Sequence, residues 1–216
     1  MVREQRRRKL LDAAWRCAAR KTFSVLTVDD VCAEAGMSKG GFYGYFKTKQ
    51  ELLLALLEDD GARLAGFART LESTRTSVVD RLRDFAEAML GLAQDPARVQ
   101  VRADLWSAML TDSGVRARFS EVIQERRALL RRWIEEGIAG GELKPVPANA
   151  AASILLALDD GLILHASLDP GAFKWANISR ALEMLLDGFR SRPDRSPQSI
   201  DGLDFLRGAE GHRSVG

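Results

Sequence analysis

Apolar residues recur three and four positions apart along most of the chain, from near the amino terminus to about residue 190. In the first such stretch Leu10, Ala14 and Ala18 share one face of a helix. Almost no stretch shows the strict apolar and polar alternation of a half-buried strand. The sequence therefore predicts an all-α protein of about nine helices.

Glycine, proline and capping residues divide this pattern into separate helices. Thr48 can cap a long fourth helix, and Gly36 and Gly140 stand where helices should stop. The other predicted helices cover about residues 3–21, 28–35, 39–45, 77–94, 96–110, 113–139 and 148–168, with a last helix ending near 190. Short joints between long helices favour antiparallel packing of neighbours.

These boundaries divide the chain into three segments. We expect an amino-terminal three-helix domain over residues 1–47 and an antiparallel helical bundle over residues 48–190. Residues 191–216 are rich in Ser, Arg, Pro, Gly and Asp and have few large apolar side chains. Because such a composition buries too little apolar surface to offset chain entropy, we expect a disordered tail.

The charged residues are unevenly distributed. The first fifty residues hold 11 of the 32 Lys and Arg but only 5 of the 30 Asp and Glu, so the rest of the chain is acidic although the net charge is +2. A basic amino-terminal segment suggests a polyanionic partner such as nucleic acid. The alternative is a solvated, Arg-rich helix face that binds nothing.

The sequence lacks the motifs of several other classes of protein. Cys17 and Cys32 lie in no C-x-x-C pair, so we expect neither a metal site nor another cofactor and interpret them as small core residues. The two histidines and the adjacent Asp159 and Asp160 form no catalytic motif, so we do not expect an enzyme. No stretch approaches the ~18 consecutive apolar residues of a membrane span, and nothing marks the chain for export. We therefore expect a cytoplasmic protein without a membrane partner.

Residues 28–46 have the pattern of two short helices that cross at a sharp angle. Val31, Ala35 and Phe42 fall where such helices bury contacts against each other, and Gly36 permits the tight turn between them. The pattern is typical of a helix-turn-helix, whose second helix enters the major groove of DNA. Lysines and arginines flank the segment where the phosphates would run.

The segment over residues 33–52 reads AEAGMSKGGFYGYFKTKQEL and resembles the DNA-binding motif of the tetracycline-repressor (TetR) family of bacterial transcription regulators. The resemblance includes residues 26–28 before it. The later helices are similar in length to the helices of the ligand-binding domain in that family. Residues 158–162, followed by Asp169-Pro170, resemble the penultimate helix of its BetI-like members. The resemblance extends to about residue 190 and implies a homodimeric repressor that a ligand releases from a palindromic operator on double-stranded DNA.

The resemblance implies a set of DNA contacts around the helix-turn-helix. Expected phosphate contacts are Thr27, Ser38, Tyr43 and Lys49, and expected base contacts are Lys39, Gly40 and Gly41, with Tyr45 as a candidate for either. Gly44 departs from the family pattern, because many members carry an aromatic residue there that can touch a thymine methyl group. Phe42 and Phe46 are interpreted as core residues, and Tyr43 has the alternative role of a packed aromatic.

The resemblance also implies a small-molecule effector pocket and a dimer interface in the bundle. Candidate pocket residues are six large apolar side chains and two polar anchors, namely Phe67, Phe85, Met89, Trp106, Met109, Phe119, Asp159 and His165. Candidate dimer residues share one face of each of the last two helices, namely Leu155, Leu158, Leu162, Ile178, Leu182, Leu185 and Phe189. Because the fourth helix joins the two domains, we expect the effector to tilt it and spread the recognition helices. Each pocket residue has the alternative role of an ordinary core residue. The alternative function of the whole chain is that of an architectural or constitutive DNA-binding protein without an effector.

Overall fold

The computed structural model describes residues 2–74, 76–169, 171 and 174–191, and nine helices run through these residues. They are α1 (Val2–Ala18), α2 (Val28–Ala35), α3 (Lys39–Tyr43), α4 (Lys49–Ser73), α5 (Val78–Ala93), α6 (Pro96–Thr111), α7 (Ser113–Ala139), α8 (Ala148–Leu168) and α9 (Trp175–Gly188). Within the described ranges, strand-like pairing is confined to one antiparallel bridge between Leu143 and Arg190. The all-α prediction is confirmed, and the predicted tail lies outside the described residues apart from Ser191.

The helices begin at caps that the sequence carries. Thr27, Ser38 and Thr48 each accept a hydrogen bond through the side-chain oxygen from the backbone N–H three residues later, at 3.1 Å. Pro96 opens α6 as its first helical residue, with Asp95 as the cap. These residues satisfy or remove backbone donors that the first turn of a helix leaves unpaired. The chain therefore begins its helices where local chemistry predicts.

Three helices end at least two residues earlier than the sequence predicts. α1 ends at Ala18 rather than near residue 21, because the backbone N–H groups of residues 20 and 21 both bond to the carbonyl oxygen of Cys17. Such bonds tighten the chain into a turn instead of continuing the helix. α3 and α9 likewise end two residues early, at Tyr43 and Gly188.

Two clusters of buried side chains stabilise the fold. The first joins α1, α2 and α3 to the first turns of α4 and to parts of α6 and α7, with Leu10, Phe42 and Leu56 fully buried in it. The second lies among α4, α5, α7 and α8 around the fully buried Trp133. Because the first cluster includes α4, α6 and α7, the amino-terminal helices are packed directly on the bundle.

The apolar helix α8 is long enough to cross a membrane by length and composition alone. It also carries Asp159 and Asp160 at mid-length, and Asp160 pairs with Arg102 of α6 at 2.8 Å. α8 packs against α5, α6 and α7. Because Ala152, Leu156 and Ile163 are buried on one side of α8, we interpret α8 as a helix of the bundle whose other side is exposed.

Candidate nucleic-acid interface and effector cavity

The turn between α2 and α3 is built around one glycine. Gly36 has φ 61° and ψ 41°, the left-handed region that favours glycine. Its N–H bonds to the carbonyl oxygen of Ala33, and the N–H of Met37 bonds to that of Cys32. These two bonds close α2 in the pattern known as a Schellman motif. The turn delivers Phe42 into the first core cluster, where it anchors α3.

α3 presents small, basic and aromatic residues to solvent. Lys39, Gly40 and Tyr43 are exposed, Tyr43 by 52%. A Cβ added at Gly40 would meet one atom within 4 Å, the Ser38 Oγ at 3.9 Å, so another surface can approach the backbone closely here. Tyr45 is half-buried and packs against the first core cluster. We call Lys39, Gly40, Gly41 and Tyr43 the α3 face.

Lys39 is paired with Asp29 of α2. Their Nζ and Oδ1 atoms lie 2.9 Å apart, and both side chains are exposed. The hydrogen bond and the negative charge of Asp29 raise the pKa of Lys39 above its ordinary value. Because water and salt screen an exposed pair, Lys39 can exchange Asp29 for another anion at little cost.

The hydroxyl of Thr27 is committed to the α2 cap. It donates to Oδ2 of Asp30 at 2.9 Å and accepts from the Asp30 backbone N–H at 3.1 Å. Hydrogen bonds from Lys21 and from Thr27 lower the pKa of Asp30 to about 2. Thr27 can therefore donate to an outside acceptor only after releasing Asp30, whereas the Ser38 hydroxyl accepts in its cap and keeps its own proton.

Lys49 connects the start of α4 to the loop before α2. Its Nζ donates to the carbonyl oxygen of Ser24 at 2.9 Å and lies 5.0 Å from the centre of the Phe23 ring. Partial burial lowers the pKa of Lys49 below its ordinary value. Because an ammonium group has three donors, Lys49 can hold this loop and still donate to a further acceptor.

A cavity of about 190 Å³ lies among α5, α7, α8 and α9. Asp159 is the one polar side chain among the described residues of its wall. The apolar wall consists of Leu82, Phe85, Ala86, Met89, Leu90, Leu130, Leu155, Leu158, Leu162, Ile178, Ala181, Leu182 and Leu185. An interior cavity of ~150 Å³ accommodates one benzene molecule, so this one has room for a small organic molecule.

Two buried charges, one in the wall of this cavity and one near it, form no ion pair within 4.0 Å among the described residues. Asp159 of α8 and Arg126 of α7 are nearly fully buried, and neither forms an ion pair within 4.0 Å in the described part of the chain. Burial raises the pKa of Asp159 to about 6 and lowers the pKa of Arg126 to about 10. Oδ1 of Asp159 and both Nε and Nη2 of Arg126 lack a hydrogen-bond partner among those residues. Buried polar atoms without partners are rare, and they are candidates for functional groups.

The neighbouring buried charges are paired. Arg102 of α6 donates to Asp160 at 2.8 Å, and Arg98 of α6 donates to Asp60 of α4 at 3.2 Å. We call Asp60, Arg98, Arg102, Arg126, Asp159 and Asp160 the buried charge cluster. A small cavity of about 20 Å³ lies within the cluster, and Asp159 borders both this cavity and the larger one. Asp159 therefore lies between the apolar cavity and the other members of the cluster.

α6 connects the buried charge cluster to the amino-terminal helices. The guanidinium of Arg98 lies 4.9 Å from the centre of the Trp15 ring of α1, and Trp15 Nε1 donates to Asp59 at 3.3 Å. Further along α6, Asp104 accepts a hydrogen bond from the backbone N–H of Phe23 at 2.9 Å. A displacement of α6 would therefore be transmitted to the amino-terminal helices through Trp15 of α1 and through Phe23 in the loop before α2.

Comparison with known proteins identifies the family of both parts of the chain. Residues 10–56 match the model of the bacterial regulatory proteins of the tetR family. Residues 78–191, more than half of the chain, match the carboxy-terminal domain of BetI-type transcriptional repressors. The chain belongs to the TetR family.

Relatives of this TetR chain are transcriptional regulators rather than enzymes. The uncharacterized HTH-type transcriptional regulator YfiR of Bacillus subtilis is 28% identical over 76% of this chain and 81% of its own. The HTH-type transcriptional repressor AcnR of Corynebacterium glutamicum is 27% identical over 73% of this chain and 79% of its own. A transcriptional regulator from Saccharomonospora viridis, solved in complex with choline, shares the fold with a TM-score of 0.75 and 21% identity, covering 88% of this chain and 99% of that one.

The TetR fold separates the residues that the sequence predicts for the effector pocket. Phe85, Met89 and Asp159 line the larger cavity. Three others pack with the first core cluster, next to the amino-terminal helices, namely Trp106, Met109 and Phe119. Phe67 is 37% exposed on α4 and His165 is exposed on α8, and neither contributes to the cavity wall.

The residues predicted for the dimer interface of a TetR protein lie on α8 and α9, except Phe189, which directly follows α9. Six of the seven line the larger cavity, namely Leu155, Leu158, Leu162, Ile178, Leu182 and Leu185. Leu158 and Leu185 are exposed, Leu185 by 55%. Phe189 packs inward against the second core cluster. The same pair of helices therefore provides both the cavity wall and an exposed apolar face.

Sequence reasoning missed the arginines of the buried charge cluster. Arg126 lies four residues after Val122 and four residues before Leu130, on the buried side of α7. An arginine in the middle of an apolar stripe is the signal that could have identified it. The same signal applies to Arg102, one residue after the buried Val101 and three before the buried Leu105.

Proposed function

We propose that this TetR chain is a homodimeric repressor that binds a palindromic operator and leaves it when a small hydrophobic or aromatic effector binds. The observation that supports this most directly is the presence, in one chain, of the exposed α3 face and an apolar cavity connected to it through α4 and α6. A protein of this kind acts in the bacterial cytoplasm, on the nucleoid.

α3 is the element that we propose to enter the major groove. Its exposed face lets Lys39 donate to guanine acceptors, while Gly40, where an added Cβ would meet nothing closer than 3.9 Å, lets the backbone of Gly40 and Gly41 approach base edges. Phosphates on either side would accept hydrogen bonds from Ser38, Tyr43 and Lys49, and from Thr27 once it releases Asp30. Tyr45 is half-buried, which favours a contact at the margin of the groove.

Replacing Lys49 by methionine should weaken binding to all DNA sequences alike. Methionine keeps an apolar stem beside Phe23 but removes the charge, so one phosphate contact is lost. The slope of log affinity against log salt concentration should become shallower by about one unit. Fluorescence anisotropy over a salt series measures this slope.

The matched control is Lys144→Met in the loop between α7 and α8. The Lys144 Nζ also donates to a backbone carbonyl, that of Gly188 at 2.8 Å, so the same kind of bond is lost away from α3. We expect the control to leave the salt slope unchanged. An unchanged slope for Lys49→Met as well would remove Lys49 from the phosphate contacts.

Replacing Gly40 by alanine should stabilise the free protein and weaken operator binding. Alanine favours a helix over glycine by up to about 1 kcal/mol, and an added Cβ has room at this position in the free chain. The same methyl group would hold α3 away from the base edges, which we expect to lower operator affinity about tenfold. Thermal unfolding and a mobility-shift titration measure the two effects.

Gly91→Ala in α5 is the matched control, since a Cβ added there meets nothing within 4 Å. This variant should also unfold at a higher temperature, with operator affinity unchanged. Wild-type operator affinity for Gly40→Ala would contradict the close approach of α3 to the bases.

We propose that α8 and α9 form a four-helix bundle with the same helices of a second copy. Their exposed apolar residues include Ile154, Leu158, Met184 and Leu185. An exposed group of large apolar side chains is typical of a protein interface. A two-fold axis through this interface would place the two α3 helices to bind half-sites about 34–36 Å apart.

We propose that the effector acts on DNA binding through α4 and α6. The choline complex of the Saccharomonospora viridis regulator supports small-molecule binding by a protein of this fold. α4 packs against α1 and α6, and α6 carries the contacts to Trp15 and Phe23. An effector releases DNA only if it binds the non-operator conformation more tightly, so the cavity should fit the effector better once α4 and α6 have moved.

Selection of genomic DNA fragments by the purified protein tests the proposal. We expect one palindromic motif, bound with a dissociation constant of roughly 10⁻⁸ to 10⁻¹¹ M. A screen of small organic molecules in the mobility-shift assay should then find compounds that release this fragment. An architectural protein would bind most fragments with similar affinity, and no compound would release it.

A further inference from the structure

We infer that Asp29 is a positioning residue that determines how specifically the protein binds DNA, because its ion pair withholds Lys39 from phosphates and directs it toward a base edge. This inference rests on the proposed entry of α3 into the major groove and goes beyond it by giving a role to a residue of α2. It depends on the geometry, exposure and net charge of one ion pair.

The turn between α2 and α3 brings the two partners of this pair together. Asp29 lies in the first turn of α2, Lys39 is the first residue of α3, and Gly36 turns the chain between them with φ 61°. The Nζ of Lys39 lies 2.9 Å from Oδ1 of Asp29. In the part of the chain that the structure describes, Lys39 is the one cation within 4.0 Å of the Asp29 carboxylate. Each partner is therefore the closest charge to the other.

Both side chains lie on the surface that we propose to meet DNA. The side chain of Lys39 is 62% exposed and that of Asp29 is 65% exposed. Gly40, Gly41 and Tyr43 complete the α3 face, so Lys39 is its one charged residue. Because Asp29 stands beside Lys39, the pair presents no net charge to an approaching nucleic acid.

The two lysines that follow α3 differ from Lys39 in this respect. Lys49 donates to the carbonyl oxygen of Ser24 rather than to a carboxylate. Lys47 forms no ion pair within 4.0 Å with any described residue. Their positive charges are therefore free to neutralise phosphates, whereas the positive charge of Lys39 is already neutralised within the protein.

The pair should weaken binding to DNA of unrelated sequence. Such binding depends on the attraction of protein cations to phosphates, and a phosphate near α3 would meet a pair without net charge. Exchange of Asp29 for a phosphate costs little in itself, because both side chains are exposed. It leaves the Asp29 carboxylate unpaired beside a polyanion, however, and like charges repel.

The same pair should favour a base contact. A free lysine side chain populates many rotamers, and fixing it on a base costs conformational entropy. Asp29 holds the Nζ at the start of α3 and occupies one of its three donors. The other two donors can bond to O6 and N7 of one guanine. Because these acceptors carry no net charge, Lys39 can contact them without leaving Asp29.

Asp29→Asn should lower the preference for the operator over a fragment of scrambled sequence. Asparagine keeps the size of the side chain and removes its charge, so Lys39 becomes free to neutralise a phosphate. We expect affinity for the scrambled fragment to rise about threefold to tenfold, and its salt slope to steepen by about one unit. Operator affinity should change less than about threefold, because the freed charge and the lost positioning act in opposite directions. Fluorescence anisotropy with both fragments over a salt series measures these values.

Further variants distinguish a paired Lys39 from an ordinary phosphate contact. Lys39→Met should lower operator affinity about tenfold and leave the salt slope on the scrambled fragment unchanged, since the paired lysine neutralises no phosphate there. Adding Lys39→Met to Asp29→Asn should restore the salt slope of the unaltered protein. Asp29→Glu keeps the charge and should keep the operator preference.

A purely structural role of Asp29 would give a different result. A negative charge in the first turn of a helix stabilises that helix, so its loss alone would lower the melting temperature without changing the salt slope. Glu135→Gln is the matched control for net charge, because the Glu135 side chain on α7 is 52% exposed and pairs with Arg131 at 3.2 Å. We expect this control to keep both the salt slope and the operator preference.

Two results would overturn the inference. One is an Asp29→Asn protein whose salt slope and operator preference equal those of the unaltered protein, and the other is a shallower slope on the scrambled fragment for Lys39→Met. Either result leaves operator binding by the unaltered protein, and with it the repressor function, intact. Equal affinity of the unaltered protein for the operator and the scrambled fragment would instead contradict the proposed recognition by α3, and the inference with it.

Discussion

Replacing Leu185 by arginine should give a folded monomer whose affinity for the operator is lower by a factor of about 100 to 10,000. Leu185 is 55% exposed on α9, so the substitution should change the stability of the single chain by no more than about 0.5 kcal/mol. In the proposed dimer the same residue lies within the apolar interface, where an unpaired guanidinium would lose its water. Each monomer would then bind a single half-site, and the gain in affinity from linking two half-site contacts would be lost.

Sedimentation velocity at micromolar concentration and a mobility-shift titration measure this result. Leu110→Arg is the matched control, because Leu110 is 81% exposed on α6 and the chemical change is identical. The control should remain a dimer with unchanged operator affinity. A Leu185→Arg protein that still sediments as a dimer would show that α8 and α9 do not form the interface.

Replacing Asp104 by alanine should uncouple effector binding from operator release. Asp104 of α6 accepts the backbone N–H of Phe23 at 2.9 Å, in the loop that precedes the helix-turn-helix. Effectors typically change the affinity of a second site by about 5-fold to 150-fold, and we expect this factor to fall below about 5-fold in the variant. Effector affinity and operator affinity measured separately should change little.

The measurement is a mobility-shift titration with and without a saturating effector from the small-molecule screen. Glu142→Ala is the matched control, because Glu142 also accepts a backbone N–H from a distant element, that of Val78 at 2.7 Å, in the bundle. The control should keep the full effect of the effector. Equal effects in both variants and in the unaltered protein would exclude α6 and Phe23 from the coupling.

The helix-turn-helix could be predicted closely from the sequence because short-range chemistry determines it. Gly36 ends α2 with a positive φ, and the side chains of Thr27 and Ser38 cap α2 and α3. Each of these depends on atoms within a few residues along the chain. The burial of Phe42 and Phe46 in the core, which follows from the same pattern, is confirmed.

The cavity could be predicted only in part, because the helix faces that line it depend on distant neighbours. Leu64, Ala68 and Leu71 form the centre of the buried stripe in this part of α4. Phe67 lies at the edge of that stripe and is 37% exposed, although its spacing from Leu64 and Leu71 is helical. The pairing of Arg102 with Asp160, 58 positions away, likewise has no local signal.

The short helix α3 has a practical consequence for altering the protein. Gly36 sets its direction and Phe42 fixes its position, while the four residues of the α3 face contribute little to the core. Lys39, Gly40 and Tyr43 can therefore be exchanged to recognise a different DNA sequence without rebuilding the scaffold, whereas a Cβ added at Gly41 would press on Met37 at 3.3 Å. Changes to the cavity wall around Asp159 would instead change which compound releases the protein from DNA. The DNA sequence that is bound and the compound that ends binding can therefore be engineered separately.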